Sequence, residues 1–357
     1  ALEQLHTELV QRATIRPAPA RRPKLAYISP LPPERSGISA YSNELLPELA
    51  RHYDIEAIIA HDRVSSPWIS ANCPIRSLDW FLSDGSHYDR VLYHFGNSDF
   101  HQHMFRLLEQ RPGVVVLHDF FLSGVIAHIE FEGIDPNRWR NELYMGHGYN
   151  ALHARFHASD ISDVIWKYPC SLGTLNQALG TIVHSESSRH LASHWYPSGT
   201  EANFAVIPHL RVPTTECNRD KARHALNLEA DDFIICSFGL LGPNKLNHRL
   251  VEAWLASELA ANDNCALIFV GETDDDEYRK KLLATMHGSD ASKRVHITGW
   301  ADTETFRNYL AAADISVQLR TLSRGETSGT VLDCMNYGLP TIVNANGSMA
   351  DLPDASV

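Results

Sequence analysis

The chain predicts an α/β protein of two doubly wound, mainly parallel-sheet domains that face each other across a cleft. Three observations carry this. Strand-sized apolar runs alternate with helix-like segments from residue 24 onward, the pattern of a parallel sheet covered by helices. The series pauses in a polar, proline-bearing stretch at residues 208–220 and then starts again. A length of 357 residues also exceeds one ordinary domain.

Taken in order, residues 1–23 read as a short helix over 2–11 and a Pro- and Arg-rich linker into the first strand. Residues 24–215 form the first Rossmann-like domain, with strands expected over 25–29, 55–60, 90–94, 114–118, 180–184 and 204–207. Helices fit between most of these. The exception is 120–175, where Trp139, Tyr144, Tyr149, Trp166 and Tyr168 mix with glycines and no regular period persists. So long an excursion reads as a substrate-contacting lobe or a packing insert. Residues 216–357 form the second domain, with strands over 233–238, 266–271, 295–298, 315–318 and 341–344. The chain opens at Ala1 without a methionine and stops abruptly, so the expectation is a piece of a longer polypeptide whose second domain is truncated.

Composition narrows the function. A formal net charge of −12 argues against nucleic acid as the main partner, so an anionic ligand must be held by local cations. The longest apolar runs, such as 114–117 and 266–270, are strand-sized, and no segment spans a bilayer. Any membrane contact is peripheral, through residues such as Arg21, Arg22 and Lys24. Six dispersed cysteines without a CxxC pair read as reduced thiols in the cytoplasm. Of the twenty histidines, His153 and His157 have helical metal-ligand spacing, but no acid stands between them and His147 lies in a glycine turn. The reading is therefore no metal.

Ligands of doubly wound domains sit at the carboxyl ends of the strands, and the informative residues fall there. The segment from Arg324 to Asp333 places Glu326 and a small-residue turn, Thr327-Ser328-Gly329, at the start of a helix that carries Asp333. A helix N-terminus offers free N–H groups to phosphate. Seven positions, or two turns, bring both acids to one helical face, about 10 Å apart, to hold a sugar and a ribose. The plainer reading is a capped helix with solvated acids. Ser36-Gly37 follows the first strand and opens a helix. His94, His118-Asp119, His184 and His209 follow later strands, and His118 is the strongest candidate among them. In the second domain, Gly239 and Lys245 form a glycine loop with a cation suited to phosphate, with solvation of the lysine as the alternative. Gly299-Trp300 presents backbone and an aromatic face to a base, or buries the ring in the core. Arg320 and Arg324 meet phosphate or pair locally, and the acids at 274–277 cap a helix.

Together these motifs resemble the retaining glycosyltransferases of family 4, over nearly the whole chain from residue 24. Closest in look are bacterial cell-surface polysaccharide enzymes, often mannosyltransferases, such as those of lipopolysaccharide O-antigen synthesis. The landmarks are Tyr27 to Ile38, Val116-Leu117-His118-Asp119, Val183-His184-Ser185, Ile207-Pro208-His209 and Gly325-Glu326-Thr327-Ser328-Gly329. The resemblance implies the GT-B architecture of two facing Rossmann-like domains, and a nucleoside diphosphate sugar, GDP-mannose by preference, as donor. It implies no cofactor and no metal, and a glycan or lipid-linked glycan as acceptor. By it, Gly37 faces the donor diphosphate and the acceptor, while His118 lies near the transferred sugar, with Ser36, Asp119 and His184 as further sugar or acceptor contacts. Lys245 contacts the diphosphate beside Gly239, Gly299, Thr327, Ser328 and Gly329, Glu326 holds sugar hydroxyls, and Asp333 holds the ribose. His118, Glu326 and Lys245 are the catalytic candidates. Two departures stand out: the acids are spaced Glu-x6-Asp instead of Glu-x7-Glu, and Leu240 replaces an arginine upstream of Lys245, leaving Arg249, Arg320 or Arg324 to help. Two alternatives remain, a sugar-nucleotide epimerase of the same fold and a silent nucleotide- or glycan-binding module of a larger synthase.

Overall fold

The computed structural model describes residues 21–353, apart from 62, 215–216, 274 and 287–292. The expected helix at 2–11 and most of the linker after it therefore lie outside the described residues, as does Asp274 of the acidic run.

The first sheet has seven strands: β1 (Lys24–Ile28), β2 (Asp54–Ile59), β3 (Ile75–Ser77), β4 (Arg90–Phe95), β5 (Val114–Leu117), β6 (Gly180–Val183) and β7 (Phe204–Val206). All are parallel, in the order β3-β2-β1-β4-β5-β6-β7. Alternation along each strand feeds two cores. Leu25 and Tyr27 of β1 pack into one apolar layer, and Ala26 and Ile28 into the layer on the opposite face. Helix α1 (Gly37–Leu49) follows β1 and is capped by Ser36, whose Oγ accepts from Ser39 N at 3.0 Å. Next come α2 (Pro67–Asn72), α3 (Leu78–Asp84) and α4 (Met104–Gln110).

The stretch at 120–175, whose sequence shows no persistent period, is helical: α5 (Ser123–Phe131), α6 (Arg138–His157), α7 (Ile161–Lys167) and α8 (Leu172–Gln177). Its irregular look has a cause. Gly148 breaks α6 at non-helical dihedrals, and the aromatics divide by role, with Trp139 and Tyr168 in the core and Tyr144 and Tyr149 exposed. β3 was not expected because its three residues, Ile-Arg-Ser, form no apolar run. Helix α9 (Glu186–Trp195) completes this half.

The second sheet is parallel, in the order β10-β9-β8-β11-β12, built from β8 (Phe233–Phe238), β9 (Cys265–Val270), β10 (Val295–Ile297), β11 (Ile315–Gln318) and β12 (Thr341–Val343). Its helices are α10 (Arg219–Ala225), α11 (Asn247–Leu255), α12 (Asp276–Met286), α13 (Thr303–Ala312) and α14 (Gly329–Asn336). The remaining acids of the 274–277 run do cap α12: Asp275 accepts from Tyr278 N at 2.9 Å, and Asp276 and Glu277 lie in the first turn. Among the described residues, no helix is long and apolar enough to cross a membrane.

Both sheets reverse strand order beside their first strand, at β1/β4 and β8/β11, which is where doubly wound folds bind ligands. The two switch points are held face to face by a turn of the second half. The Arg324 carbonyl accepts from Phe120 N (2.9 Å) and Phe121 N (3.1 Å), and the Gly325 carbonyl from Ser188 Oγ (2.6 Å). Asp351 accepts from Ser187 N at 2.7 Å, so the second half also caps the N-terminus of α9. Gly325 has φ +85°, and a Cβ on it would overlap that of Phe120.

Gly325→Ala is therefore expected to lower stability by at least about 1–3 kcal/mol from the strained dihedral alone, before the overlap is counted. It also loosens the interface. Urea unfolding followed by probes in each half would then show two separated transitions, and an unchanged midpoint would contradict this role.

Candidate functional site

Four strand ends of the first half converge. His94 is the penultimate residue of β4, and His118, His184 and His209 follow β5, β6 and β7. The sequence reading ran the β5 and β6 strands one residue too far, through His118 and His184; both are the first residue past the ladder. His94 Nδ1 lies 3.0 Å from His118 Nε2, and His184 Nδ1 lies 2.8 Å from the Ile207 carbonyl. The Tyr41 ring packs on all four, at 5.9 Å from His94, 5.0 Å from His118, 5.3 Å from His184 and 4.4 Å from His209. Burial first, and then the neighbouring imidazoles, holds His94 and His118 far below the usual histidine range, and burial likewise lowers His184 and takes His209 down to about 3. This wall is neutral at physiological pH.

Beside it Asp119 accepts from Asn97 N at 2.8 Å, while burial and the facing Glu326 raise its carboxyl to about 6. A cavity of about 290 Å³ is lined by Gly37, His118, Asp119, His184, Glu326 and Thr327, so residues expected on both sides of the cleft do share one space. Ser36 also lines it, but its hydroxyl caps α1. A Cβ at Gly37 would meet nothing within 4 Å, which leaves room for a ligand.

The opposite wall differs from expectation in one respect. Helix α14 begins at Gly329, so Glu326 lies in the loop before it and the two acids do not share a helical face. Glu326 Oε2 accepts from Arg324 N at 2.6 Å, and its carbonyl from Ser348 Oγ at 2.9 Å. Thr327 Oγ1 is buried without a partner. Ser328 makes no capping bond, because its hydroxyl receives Arg320 Nη2 at 3.2 Å; the first N–H groups of α14 lack a side-chain cap. Gly239, at φ +93°, brings its backbone under Lys245, and a Cβ there would lie 3.0 Å from Nζ. Among the described residues Lys245 has no salt-bridged carboxylate, and burial together with Arg320 pushes its ammonium down to about 7, against the pull of Glu326. Arg320 is buried, bonded to the Leu319 carbonyl and Ser328, and likewise makes no salt bridge among the described residues. Arg249 is not at the site: it pairs with Glu252 at 2.9 Å in solvent. Arg324 stacks on Trp166 of α7 at 4.1 Å, which gives the helical insert an interface role.

Asp333 borders a second, larger cavity of about 1110 Å³, with Tyr41, Arg211, Trp300, Arg307 and Tyr337. Its carboxylate accepts from Arg211 Nε at 2.6 Å. Burial raises Asp333 while Arg211 opposes the rise. Trp300 is half exposed and not in a core, with Arg35 of the facing half 5.0 Å over its ring; the neighbouring Gly299, at φ +72°, has open space around it. Arg211 is the residue that sequence reasoning missed. It leaves the interdomain linker to pair with Asp333 and crowds Gly329, where a Cβ would collide with Nη2. The one available signal was a lone arginine in that linker. His153 and His157 stack at 3.9 Å, and His157 Nδ1 is spent on the His153 carbonyl. The three-ligand cluster found among the described residues is instead His118, His184 and His209.

Residues 218–354 match the family model described as glycosyl transferases group 1. Over 93% of this chain and 83% of its own, Anabaena HepE in complex with UDP and glucose superposes with a TM-score of 0.63 at 15% identity. WaaG, a glycosyltransferase involved in lipopolysaccharide biosynthesis, superposes at 0.58 and 13% over 91% and 82%. Sucrose-phosphate synthase from Thermosynechococcus elongatus does so at 0.58 and 15% over 92% and 82%. The fold is GT-B. No curated protein matches the sequence. In GT-B terms, the histidine wall belongs to the N-terminal domain, and the wall of Lys245, Arg320 and α14 to the C-terminal domain, which is the part that the family model covers.

The electrostatics of that second wall can be measured directly. Competitive labelling with trace acetic anhydride from about pH 6 to about pH 9 is expected to place the Lys245 midpoint near 7, well below an ordinary lysine. Arg320→Gln is expected to raise it. A Lys245 that labels like the exposed lysines would refute the desolvated, unpaired ammonium.

Proposed function

We propose that this protein is a retaining hexosyltransferase, moving mannose from GDP-mannose by preference to a hydroxyl of a growing bacterial surface glycan, free or lipid-linked. One observation carries the reading. In a chain of net charge −12, two buried cations that make no salt bridge among the described residues and an uncapped helix N-terminus converge on one wall. Such a wall favours a dense anion, and a nucleoside diphosphate supplies one. HepE binds UDP, and UDP with glucose, which supports a nucleotide sugar as ligand and argues for testing uridine donors beside guanosine ones.

In this reading the diphosphate lies against Lys245, Arg320 and the N–H groups of Gly329 and Thr330, with Arg211 at the same helix end. The nucleoside extends past Asp333 toward Trp300. The sugar then enters the smaller cavity, where Glu326 and Thr327 receive its hydroxyls and neutral His118 hydrogen-bonds it from the other side. During transfer the bond from the anomeric carbon to the diphosphate oxygen breaks, and the acceptor oxygen bonds that carbon on the same face. The acceptor proton passes to the departing phosphate oxygen. The cations and helix N-terminus meet the charge that develops there, so the reaction needs no metal and no enzymic nucleophile.

A thermal-shift screen of GDP-, UDP-, ADP- and dTDP-sugars is expected to single out one donor class. With that donor and glycan acceptors, the product should keep the donor's anomeric configuration. Lys245→Ala should cut kcat on the order of 10²–10³-fold, and Glu326→Gln on the order of 10²-fold with the protein still folded. An epimerised sugar nucleotide, or binding with no transfer to any acceptor, would overturn the proposal.

A further inference from the structure

The histidine wall carries more chemistry than sugar recognition requires. Three adjacent parallel strands, β5, β6 and β7, each release a histidine at the same edge of the sheet, and strand spacing of about 4.8 Å sets the interval between them. One nitrogen each from His118, His184 and His209 lies within 4.8 Å of the others. Tetrahedral zinc with Zn–N of about 2.0 Å needs nitrogens about 3.4 Å apart, so modest ring rotations close the set.

His184 already has the outer hydrogen bond that a metal-bound imidazole requires, and the other two rings reach it by a change of tautomer. His184 donates Nδ1–H to the Ile207 carbonyl at 2.8 Å, which leaves Nε2 as a bare lone pair, and that atom is buried without any partner. His209 Nδ1 lies 2.9 Å from Arg211 Nη1, which can only donate, and 3.0 Å from the Leu210 carbonyl; ligation through Nε2 requires Nδ1–H to turn to that carbonyl and give up the bond from Arg211, which keeps its own 3.0 Å bond to the same carbonyl. His118 Nε2 lies 3.0 Å from His94 Nδ1, and donation from His118 to His94 leaves His118 Nδ1 as the bare nitrogen. Tyr41 closes the cluster on one side, while the cavity of about 290 Å³ leaves an open position. Asp119 and Glu326, which line that cavity and repel each other, supply the compensating negative charge.

We propose that His118, His184 and His209 bind one divalent transition-metal ion of the zinc type, and that its presence closes the sugar end of the cleft. The ion acts as a blocking ligand, and its affinity is independent of whether the protein transfers sugar. Neutral imidazole suits zinc, cobalt and nickel better than magnesium or calcium, so the hard cations are expected not to bind here.

Zinc titration by calorimetry, in a His153→Ala/His157→Ala background that removes the stacked surface pair, is expected to show one equivalent bound. Cobalt(II) in the same site should give the intense visible bands of tetrahedral coordination. His184→Ala should weaken zinc binding by about tenfold or more. His209→Ala, outside the strand ladder, provides a second variant whose folding is checked by circular dichroism. Sub-stoichiometric binding, an octahedral cobalt spectrum, or unchanged affinity in both folded variants would overturn the site. None of these outcomes depends on finding the donor, so a failed transferase assay and a failed metal site are told apart.

Discussion

The molecule depends on the docking of one turn. The Arg324 carbonyl receives two amides from residues 120 and 121, and the Gly325 carbonyl receives the Ser188 hydroxyl. Backbone-to-backbone bonds have no rotamers to relax through, so they set the distance between domains more rigidly than side-chain contacts do. The chain positions they join determine what faces what: Phe120 follows His118-Asp119 and Glu326 follows Gly325. The same contact that holds the halves together therefore brings a carboxylate of one against the histidine wall of the other. The absent side chain at 325 allows this, because the turn lies flush on Phe120.

That docking gives the cleft a polarity. One wall is built of imidazoles held neutral by burial, the other of desolvated cations, Lys245 and Arg320, that have no salt-bridged acid among the described residues. Asp119 and Glu326 lie at the seam, and burial first, with the facing Glu326 adding to it, raises Asp119 to about 6. An elongated ligand that is anionic at one end and rich in hydroxyls at the other fits in a single direction. The overall charge of −12 sharpens this, because elsewhere arginines are largely spent on acids, as with Arg155–Glu130 and Arg223–Asp314.

Most of this was legible in the sequence where the signal was local. Apolar-rich runs marked eleven of the twelve described strands, most clearly where a parallel strand is buried on both faces, as in Val114–Leu117 and Cys265–Val270; the exception, Ile75–Ser77, is too short to show one. Strand ends located His118, His184 and Glu326 because doubly wound folds place ligands there, and the structure gathers these residues around one cavity. The helical insert was hidden because Gly146 and Gly148 disrupt the 3.6-residue period in α6. The start of α14 was misread by three residues: Thr327 and Ser328 resemble caps, yet the hydroxyl of Ser328 is taken by Arg320. Non-local pairings left no trace at all. Arg211 and Asp333 are separated by 122 positions, and nothing in either neighbourhood announces the other.

The Arg211–Asp333 pair bears on the shortened Glu-x6-Asp spacing. Counting residues between two acids presumes that both ride one helix, where each position adds about 100° of rotation and 1.5 Å of rise. Here the helix begins between them, so the count measures a loop plus one turn and does not fix how the carboxylates face. What does fix Asp333 is Arg211, which holds it at 2.6 Å and crowds Gly329 at the head of the same helix. A guanidinium at the positive end of a helix dipole is unfavourable by itself, and the carboxylate only partly offsets it. An anion bound at that end would relieve the conflict. The larger cavity, bounded by Asp333, and the uncapped head of α14 are thus coupled through one side chain from the linker, whatever the spacing of the acids in sequence.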